Sequence, residues 1–300
     1  MHDVIDWAGN MKASRLKRIE ERVFPQLEQL ANHANIPLLD VLVRFRLLLP
    51  LSIIYPFIEM PIDEICDLLY KKVVEEVQAF SIEMKKWNEL CGNRILYGCS
   101  PLHYNLKKVA YVCSNNGEEI LLRVKDVNEG TGKYIEKNMH YLHSVRNDAV
   151  IRKGIFLEGH SFPILYACII RVSDHKKLDL IHNALGIPEN EDKRIYELSR
   201  VVGSSCLPRN TISFFIADLK RELLQLKATY FITAINEFLG FNGSSIKASG
   251  FKYLTERDVV YSYGKDFSYI GPLDKKSNVE YYMDNSSFKN KLYYISLINH

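Results

Sequence analysis

The chain has 300 residues, 47% apolar and 25% charged, values of an ordinary globular protein that exclude a disordered tail or a fibre. At roughly 150 residues per domain, this length predicts two domains or one elaborated one. The 39 basic and 36 acidic residues leave a formal charge of +3, so any grip on nucleic acid has to come from a local basic patch.

The N-terminal segment is mixed in charge and lacks an apolar stretch of signal-peptide type. Leu47 to Ile58 is the most apolar run, but two prolines interrupt it and it falls short of the ~20 residues of a membrane span. Cys66, Cys91, Cys99, Cys113, Cys168 and Cys206 are scattered without a CxxC pair, which predicts reduced thiols in a cytoplasmic protein and no structural zinc.

Leu16, Ile19, Val23, Leu27 and Leu30 recur at spacings of three and four, the signature of an amphipathic helix. Pro25 inside that pattern is expected to split or kink it. Leu38 to Leu49 reads as a second helix ended by Pro50. A third opens with Pro61 at its first position and Asp63 and Glu64 in its first turn. The chain changes character near residue 92, giving a helical domain over 1–92 and a mixed domain over 93–300.

In the second part, Asn116-Gly117 between two apolar runs predicts a hairpin whose turn residues both take positive φ. A short helix is expected around Tyr134 to His143. Strands follow at Val150–Phe156 and Ile164–Val172, then a helix over 174–187 ended by Gly186. Ile195–Val202 reads as a strand. Residues 209–226 form a long helix with the stripe Ile212, Phe215, Ile216, Leu219, Leu223 and Leu226. Ala228–Ile235 is a buried strand, 242–249 a short helix and Arg257–Tyr263 the final core strand. The segment KLYYISLI near the end reads as a strand with no obvious partner. This order predicts an α/β fold, a mixed sheet with a central parallel strand pair around one crossover helix.

Several short segments stand in an order that resembles a known family. They are His140-Tyr141, Glu197-Leu198-Ser199-Arg200-Val201-Val202 and Pro208-Arg209-Asn210-Thr211-Ile212-Ser213. Ala234-Ile235-Asn236 and Gly243-Ser244-Ser245-Ile246-Lys247-Ala248-Ser249-Gly250-Phe251 follow. The order is similar to the GCN5-related N-acetyltransferase (GNAT) fold, and more narrowly to its divergent branch, the phage Mom DNA-modification proteins. The likeness covers about residues 118–265.

The resemblance implies an acyl-CoA cofactor, most simply acetyl-CoA, and direct attack on the thioester by an amine. In the Mom-like branch it implies a nucleic-acid base as that amine, hence DNA or RNA as partner, with a protein or small amine as competitor. It assigns cofactor contacts to Val201, Val202, Gly203, Arg209, Asn210, Thr211, Ser213 and Ser244. Pantetheine amides would pair with a strand end left unpaired by its neighbour, and the pyrophosphate would sit at the following helix N-terminus. The same residues would also serve as a plain strand-to-helix loop.

Two departures point to a second reading, a catalytically degenerate scaffold. Gly203 is followed by SSCLPRN without the usual second glycine, and Ile246 stands where many relatives of this fold carry a tyrosine acid. Candidates for chemistry are His140, Tyr141, Glu197, Ser199 and Asn236, the last where the Mom-like pattern tends to have Asp. Strict alternation would put Glu197 and Ser199 on one sheet face and Leu198 and Arg200 on the other. Lys12, Arg15, Arg18, Arg44 and Arg46, with Lys85-Lys86 and Lys107-Lys108, are candidate phosphate contacts or solvated helix faces. A third reading is therefore a nucleic-acid-binding module in phage defence or counter-defence, its N-terminal helices a reader or a homodimer interface.

Overall fold

The computed structural model describes residues 2–104, 110–188, 194–204, 206–270 and 279–297. The expected Lys107-Lys108 contact lies outside them. The chain divides into two compact units. One comprises Met1–Glu83, Phe238–Gly240 and Asp258–Lys289, the other Met84–Glu237, Phe241–Arg257 and Asn290–His300. The division falls inside a helix rather than at the change of character near residue 92.

The first unit is built on helices. α1 (His2–Ala34) continues through Pro25 rather than being split by it. The proline lies on the exposed side, while Ile19, Val23, Leu27 and Ala31 form one buried stripe on both sides of it. Packing of that stripe outweighs the one backbone bond that proline removes. α2 (Leu38–Leu48) gives way at Leu49 to a 3-10 turn that contains Pro50. α3 (Ile62–Cys91) starts one residue later than expected, and the Pro61 carbonyl accepts its first helical bond, from Ile65 N–H. No described helix is long and apolar enough to cross a membrane.

The sheet begins with β1 (His103–Tyr104), β2 (Ala110–Cys113) and β3 (Glu119–Asp126). α4 (Glu129–Asn138), β4 (Ala149–Leu157), β5 (Leu165–Arg171) and α5 (His175–Leu185) follow. Then come β6 (Ile195–Gly203), α6 (Thr211–Gln225), β7 (Tyr230–Ile235) and α7 (Ser244–Ala248). The chain closes with β8 (Lys252–Tyr263) and β9 (Tyr281–Ser296). The strand order is β1-β2-β3-β4-β5-β6-β7-β9-β8. Every ladder from β1 to β5 is antiparallel, and β6 and β7, joined through α6, form the parallel pair. This is the GNAT-like mixed sheet that the sequence predicts.

Four details differ from the sequence reading. In the β2–β3 hairpin Gly117 alone takes positive φ, at +80°, and its N–H closes the turn on the Ser114 carbonyl. α4 ends at Asn138, so His140 and Tyr141 lie in the segment after it. On α6 the buried residues include Thr211 and Phe214, whereas Leu226 caps the helix and is 43% exposed. The last core strand is β9, not β8: β9 inserts beside β7 with Tyr230 opposite Ser296 and Ile235 opposite Lys291, leaving β8 at the edge. KLYYISLI therefore has a partner, one that is remote in sequence.

No atom lies within 4 Å of a Cβ built on Gly117, so Gly117→Ala costs only the left-handed backbone strain, about 1–2 kcal/mol. The expected result is a melting temperature lower by roughly 2–8 °C, measured by circular dichroism.

Candidate functional site

The parallel ladder between β6 and β7 is short. It runs from Ile195 opposite Tyr230 to Leu198 opposite Thr233, although β6 continues to Gly203 and β7 to Ile235. At the last paired position the Thr233 hydroxyl donates to the Leu198 carbonyl at 3.2 Å. Beyond it β6 stays paired with β5 as far as Gly203, and β7 with β9 as far as Ile235. The two strands therefore part, and the β7-facing edge of β6 over Val201 and Val202 has no ladder partner among the described residues.

A bulge sits at the same point. Cys168 of β5 lies opposite Arg200, but Ile169 lies opposite Leu198, so Ser199 is the extra residue. The bulge breaks the alternation expected from sequence. Glu197 stands opposite Ile170 and Arg200 opposite Cys168, two residues apart on β5, so Glu197 and Arg200 share one face. The Arg200 guanidinium donates to the Ser199 carbonyl at 2.8 Å and to its hydroxyl at 3.1 Å, which fastens the bulge.

The chain then enters α6 through a loop held at both ends. Ser204 N–H donates to the Ile164 carbonyl, and Leu102 N–H to that of Arg209. Asn210 is the N-cap with φ +74°, and its side chain makes no capping bond. The Thr211 hydroxyl donates to the Pro208 carbonyl at 2.7 Å. Ile212 and Ser213 occupy the first turn, where N–H groups have no acceptor within the helix. Arg209 and Asn210 are exposed, and Arg209 makes no ion pair among the described residues. Gly203 is a close-approach position, because an added Cβ would lie 2.4 Å from the Leu207 side chain.

A buried polar cluster lies on the face that carries Arg200. Glu136, on α4, is fully buried. It accepts the Tyr166 hydroxyl at 2.6 Å and the Arg146 backbone N–H at 2.5 Å, and the Arg152 guanidinium stands 3.7 Å away. Arg152 also donates to the Arg146 carbonyl, and Arg200 donates to the Ser144 hydroxyl at 2.8 Å. Three elements thus tie down the segment between α4 and β4, which carries His140 and Tyr141. Gly132 makes the approach possible, since a Cβ there would lie 2.5 Å from Arg152 and 2.9 Å from the Tyr166 oxygen.

Burial and then the bond to Glu136 hold the Tyr166 hydroxyl protonated, well above its ordinary range. Burial, reinforced by Glu136, pushes the Cys168 thiol up to about 12, so it is no nucleophile at neutral pH. Burial and then the nearby Arg146 charge weaken Arg200's hold on its proton. Burial raises the Tyr141 hydroxyl, with Arg200 opposing.

The sequence candidates fall into separate places. His140 is 5% exposed, its ring stacks on Tyr141 at 4.3 Å, and its Nδ1 accepts the Leu142 N–H, which puts the proton of the neutral ring on Nε2. Tyr141 also contacts Phe241. Glu197 forms a 2.5 Å ion pair with Lys177 of α5, both largely buried. Asn236 is buried at the end of β7, and its carboxamide cannot take a proton. Ser244 opens the short α7 and is exposed.

The basic candidates in the first unit do not form one surface. Arg44 is 1% exposed and lies 3.5 Å over the Phe80 ring, so it cannot reach a phosphate. Arg15 is spent on the carbonyls of Ser52, Phe57 and Met60, and Arg46 is paired with Glu20 at 2.7 Å. Lys12 and Arg18 are exposed. Sequence reasoning missed Glu136, Arg146, Arg152 and Tyr166. The available signal was Gly132, which stands on the same helix face as Ile135 and Glu136.

Residues 121–290 match the Mom protein family. No curated protein sequence matches the chain. Solved structures to which it is similar include an N-acetyltransferase from Staphylococcus aureus Mu50, at 13% identity and TM-score 0.36 over 59% of this chain and 99% of that one. The ribosomal-protein-S18-alanine N-acetyltransferase from Escherichia coli is similar at 10% identity and TM-score 0.35, over 60% and 96%. yncA from Salmonella typhimurium, solved with its cofactor acetyl-CoA, is similar at 10% identity and TM-score 0.36, over 60% and 95%.

Proposed function

This chain belongs to the Mom protein family, and we propose that it transfers an acyl group, most simply acetyl, from acyl-CoA to an amine, with a nucleic-acid base as the acceptor. The observation that carries this reading is the parting of β6 from β7 after Leu198, directly before the α6 N-terminus. The residues present fit the cofactor. The unpaired edge at Val201 and Val202 suits pantetheine amides. Arg209 with the first-turn N–H groups of α6, at Thr211, Ile212 and Ser213, suits a pyrophosphate. Gly203 and Asn210 shape the loop between them, and Ser244 is the remaining cofactor candidate.

Bound acyl-CoA supplies an activated thioester. The chain's own part is to hold it and to present the amine. His140 and Tyr141 would stand on the acceptor side, with Ser199 and Asn236 as orienting groups. Lys12 and Arg18 are the exposed residues left for contacting a nucleic-acid backbone.

Acetyl-CoA at ~100 times its Kd should stabilise the protein by roughly 2.7 kcal/mol, a rise of about 5–11 °C in melting temperature. Arg209→Ala should remove most of that rise. The absence of a shift with acetyl-CoA, propionyl-CoA and free CoA would overturn the reading.

A second reading, a scaffold that holds the cofactor without turnover, is favoured by the Lys177–Glu197 pair, which engages the one candidate carboxylate base, and by Asn236, which cannot act as a base. A thermal shift without release of the CoA thiol, over a panel of nucleic-acid and small amines, would establish it.

A further inference from the structure

We propose that Lys86 and Lys137, with Lys133 beside them, form a basic rim next to His140 and Tyr141, and that this rim contacts the sugar-phosphate backbone of a nucleic acid. The binding surface stands on the placement of these charges. That the bound strand is the acceptor rests on the acyl-transfer reading.

All three lysines belong to the sheet unit, which takes in the chain from Met84. Lys86 lies near the end of α3, and Lys133 and Lys137 lie on α4. A cation–π contact brings the first to the second helix: Lys86 Nζ stands 4.9 Å from the centroid of the Tyr134 ring. Tyr134 packs edge-on against Phe162, and Phe162 against Trp87. Trp87 is fully buried and donates from Nε1 to the Pro163 carbonyl at 2.6 Å. The neighbour of Lys86 in sequence is therefore an anchor, and it delivers Lys86 to α4. Contact with a ring face uses none of the three ammonium N–H donors, which stay available to phosphate oxygens.

Tyr134 and Lys137 are three apart on α4, and Lys133 and Lys137 four apart, so they are neighbours on its surface. Lys133 is paired with Glu129 at 2.6 Å. Lys86 and Lys137 are exposed and make no ion pair among the described residues. The other carboxylates of these segments do not neutralise them: Glu136 is buried in its own cluster, Asp148 binds Arg146, and Glu89 is exposed on α3. A solvated helix face sets acids one turn from its lysines, whereas Lys137 has another lysine there. The dipole at the end of α4 accounts for Lys137, but not for a second cation brought over from α3.

The rim adjoins the segment given to the acceptor. The chain turns back after α4: His143 takes φ +48°, its N–H donates to the His140 carbonyl, and its Nδ1 bonds the Lys137 carbonyl at 2.9 Å. His140 and Tyr141 lie inside that turn. Lysines on long stems position a phosphate backbone without reading its sequence. Lys12 and Arg18 belong to the other unit.

The test follows the anisotropy of a fluorescein-labelled single-stranded oligodeoxynucleotide with the full chain, across a series of salt concentrations. Lys86→Gln/Lys137→Gln should weaken binding by roughly 3- to 30-fold and reduce the salt slope by about 1.4, for two lost phosphate contacts. Both residues are exposed, so its melting temperature should stay within about 2 °C of the parent. Arg123→Gln/Arg221→Gln removes the same charge from two exposed pairs, with Glu158 and Asp218, and should leave the slope unchanged.

The thermal shift with acetyl-CoA is measured separately. If it is absent while the oligonucleotide binds with the expected loss, the rim stands and the strand is not an acyl acceptor. The proposal is overturned if the oligonucleotide does not bind, or if the double lysine variant binds it with the parent's slope. It is also overturned if only Lys12→Gln/Arg18→Gln lowers the slope. Equal affinity for labelled polyglutamate, lost in the same variant, would overturn it in favour of an acidic protein.

Discussion

Glu136→Ala is expected to lower the unfolding free energy by about 3–5 kcal/mol, the cost of breaking a buried ion pair from one side. The carboxylate is fully buried and accepts from Tyr166 and from the Arg146 backbone, with Arg152 at 3.7 Å. Removing it leaves a buried guanidinium without its counter-ion, and a phenol and a backbone N–H without acceptors. Each of the last two costs about 1–3 kcal/mol if it finds no substitute. The melting temperature should fall by roughly 6–20 °C.

Tyr166→Phe is the informative companion. It deletes one donor but leaves the Arg152 and Arg146 contacts, so it should cost no more than about 1–3 kcal/mol. If Glu136→Ala melts within a degree of the parent, the cluster does not hold the segment between α4 and β4. If it destabilises as expected while acetyl-CoA still shifts the remaining transition, the cofactor end of the site is independent of the acceptor end.

The elements that the chain announces are those with local signals. Asn116-Gly117 marks its hairpin because the turn chemistry lies within a few residues. α6 and β7 are marked by periodicity, and the crossover between them follows from their order. What stayed hidden is long-range. The bulge at Ser199 has no sequence mark, because it is set by pairing with Cys168 and Ile169 of β5. That single extra residue moves Arg200 onto the face of Glu197, and no count along the strand could have found it.

β9 was a strand without a partner because its partner, β7, lies far upstream and is joined to it by register alone. In the first unit, a run of arginines reads the same on paper whether solvated or buried. Only packing separates Arg18, exposed, from Arg44, buried over Phe80. Glu197 stood out as a residue type, and its ion pair with Lys177, on a helix between β5 and β6, is again a long-range contact.

The helical unit should lose stability as pH rises through neutrality, and Glu76 is the reason. It lies on α3. The charged groups around it are Arg44 of α2, Lys72 and Glu75 of its own helix, and Asp266 after β8. Burial is the largest influence and pushes its carboxyl up to about 7; Arg44 and Lys72 oppose this, and Glu75 and Asp266 add to it. Arg44 stays charged throughout, since burial lowers it only to about 10.

The sign follows from proton binding. A carboxyl raised in the folded state holds its proton more tightly there than in the unfolded chain. Its contribution is full below the ordinary carboxylate range and is lost as pH rises through about 7. Asp40 is raised in the same direction by burial, so it adds to the same trend. The loss from Glu76 between about pH 5 and pH 8 should be about 1–3 kcal/mol, allowing for the solvent that reaches a partly exposed carboxyl. Glu76→Gln keeps the shape and removes the titration. It should flatten the pH dependence of the melting temperature and raise that temperature at pH 8, with little change at pH 5. A parent protein that gains stability across this interval, or a Glu76→Gln variant that follows the parent at both ends, would show that Glu76 is ionised in the folded state and that Arg44 has it as a full counter-ion.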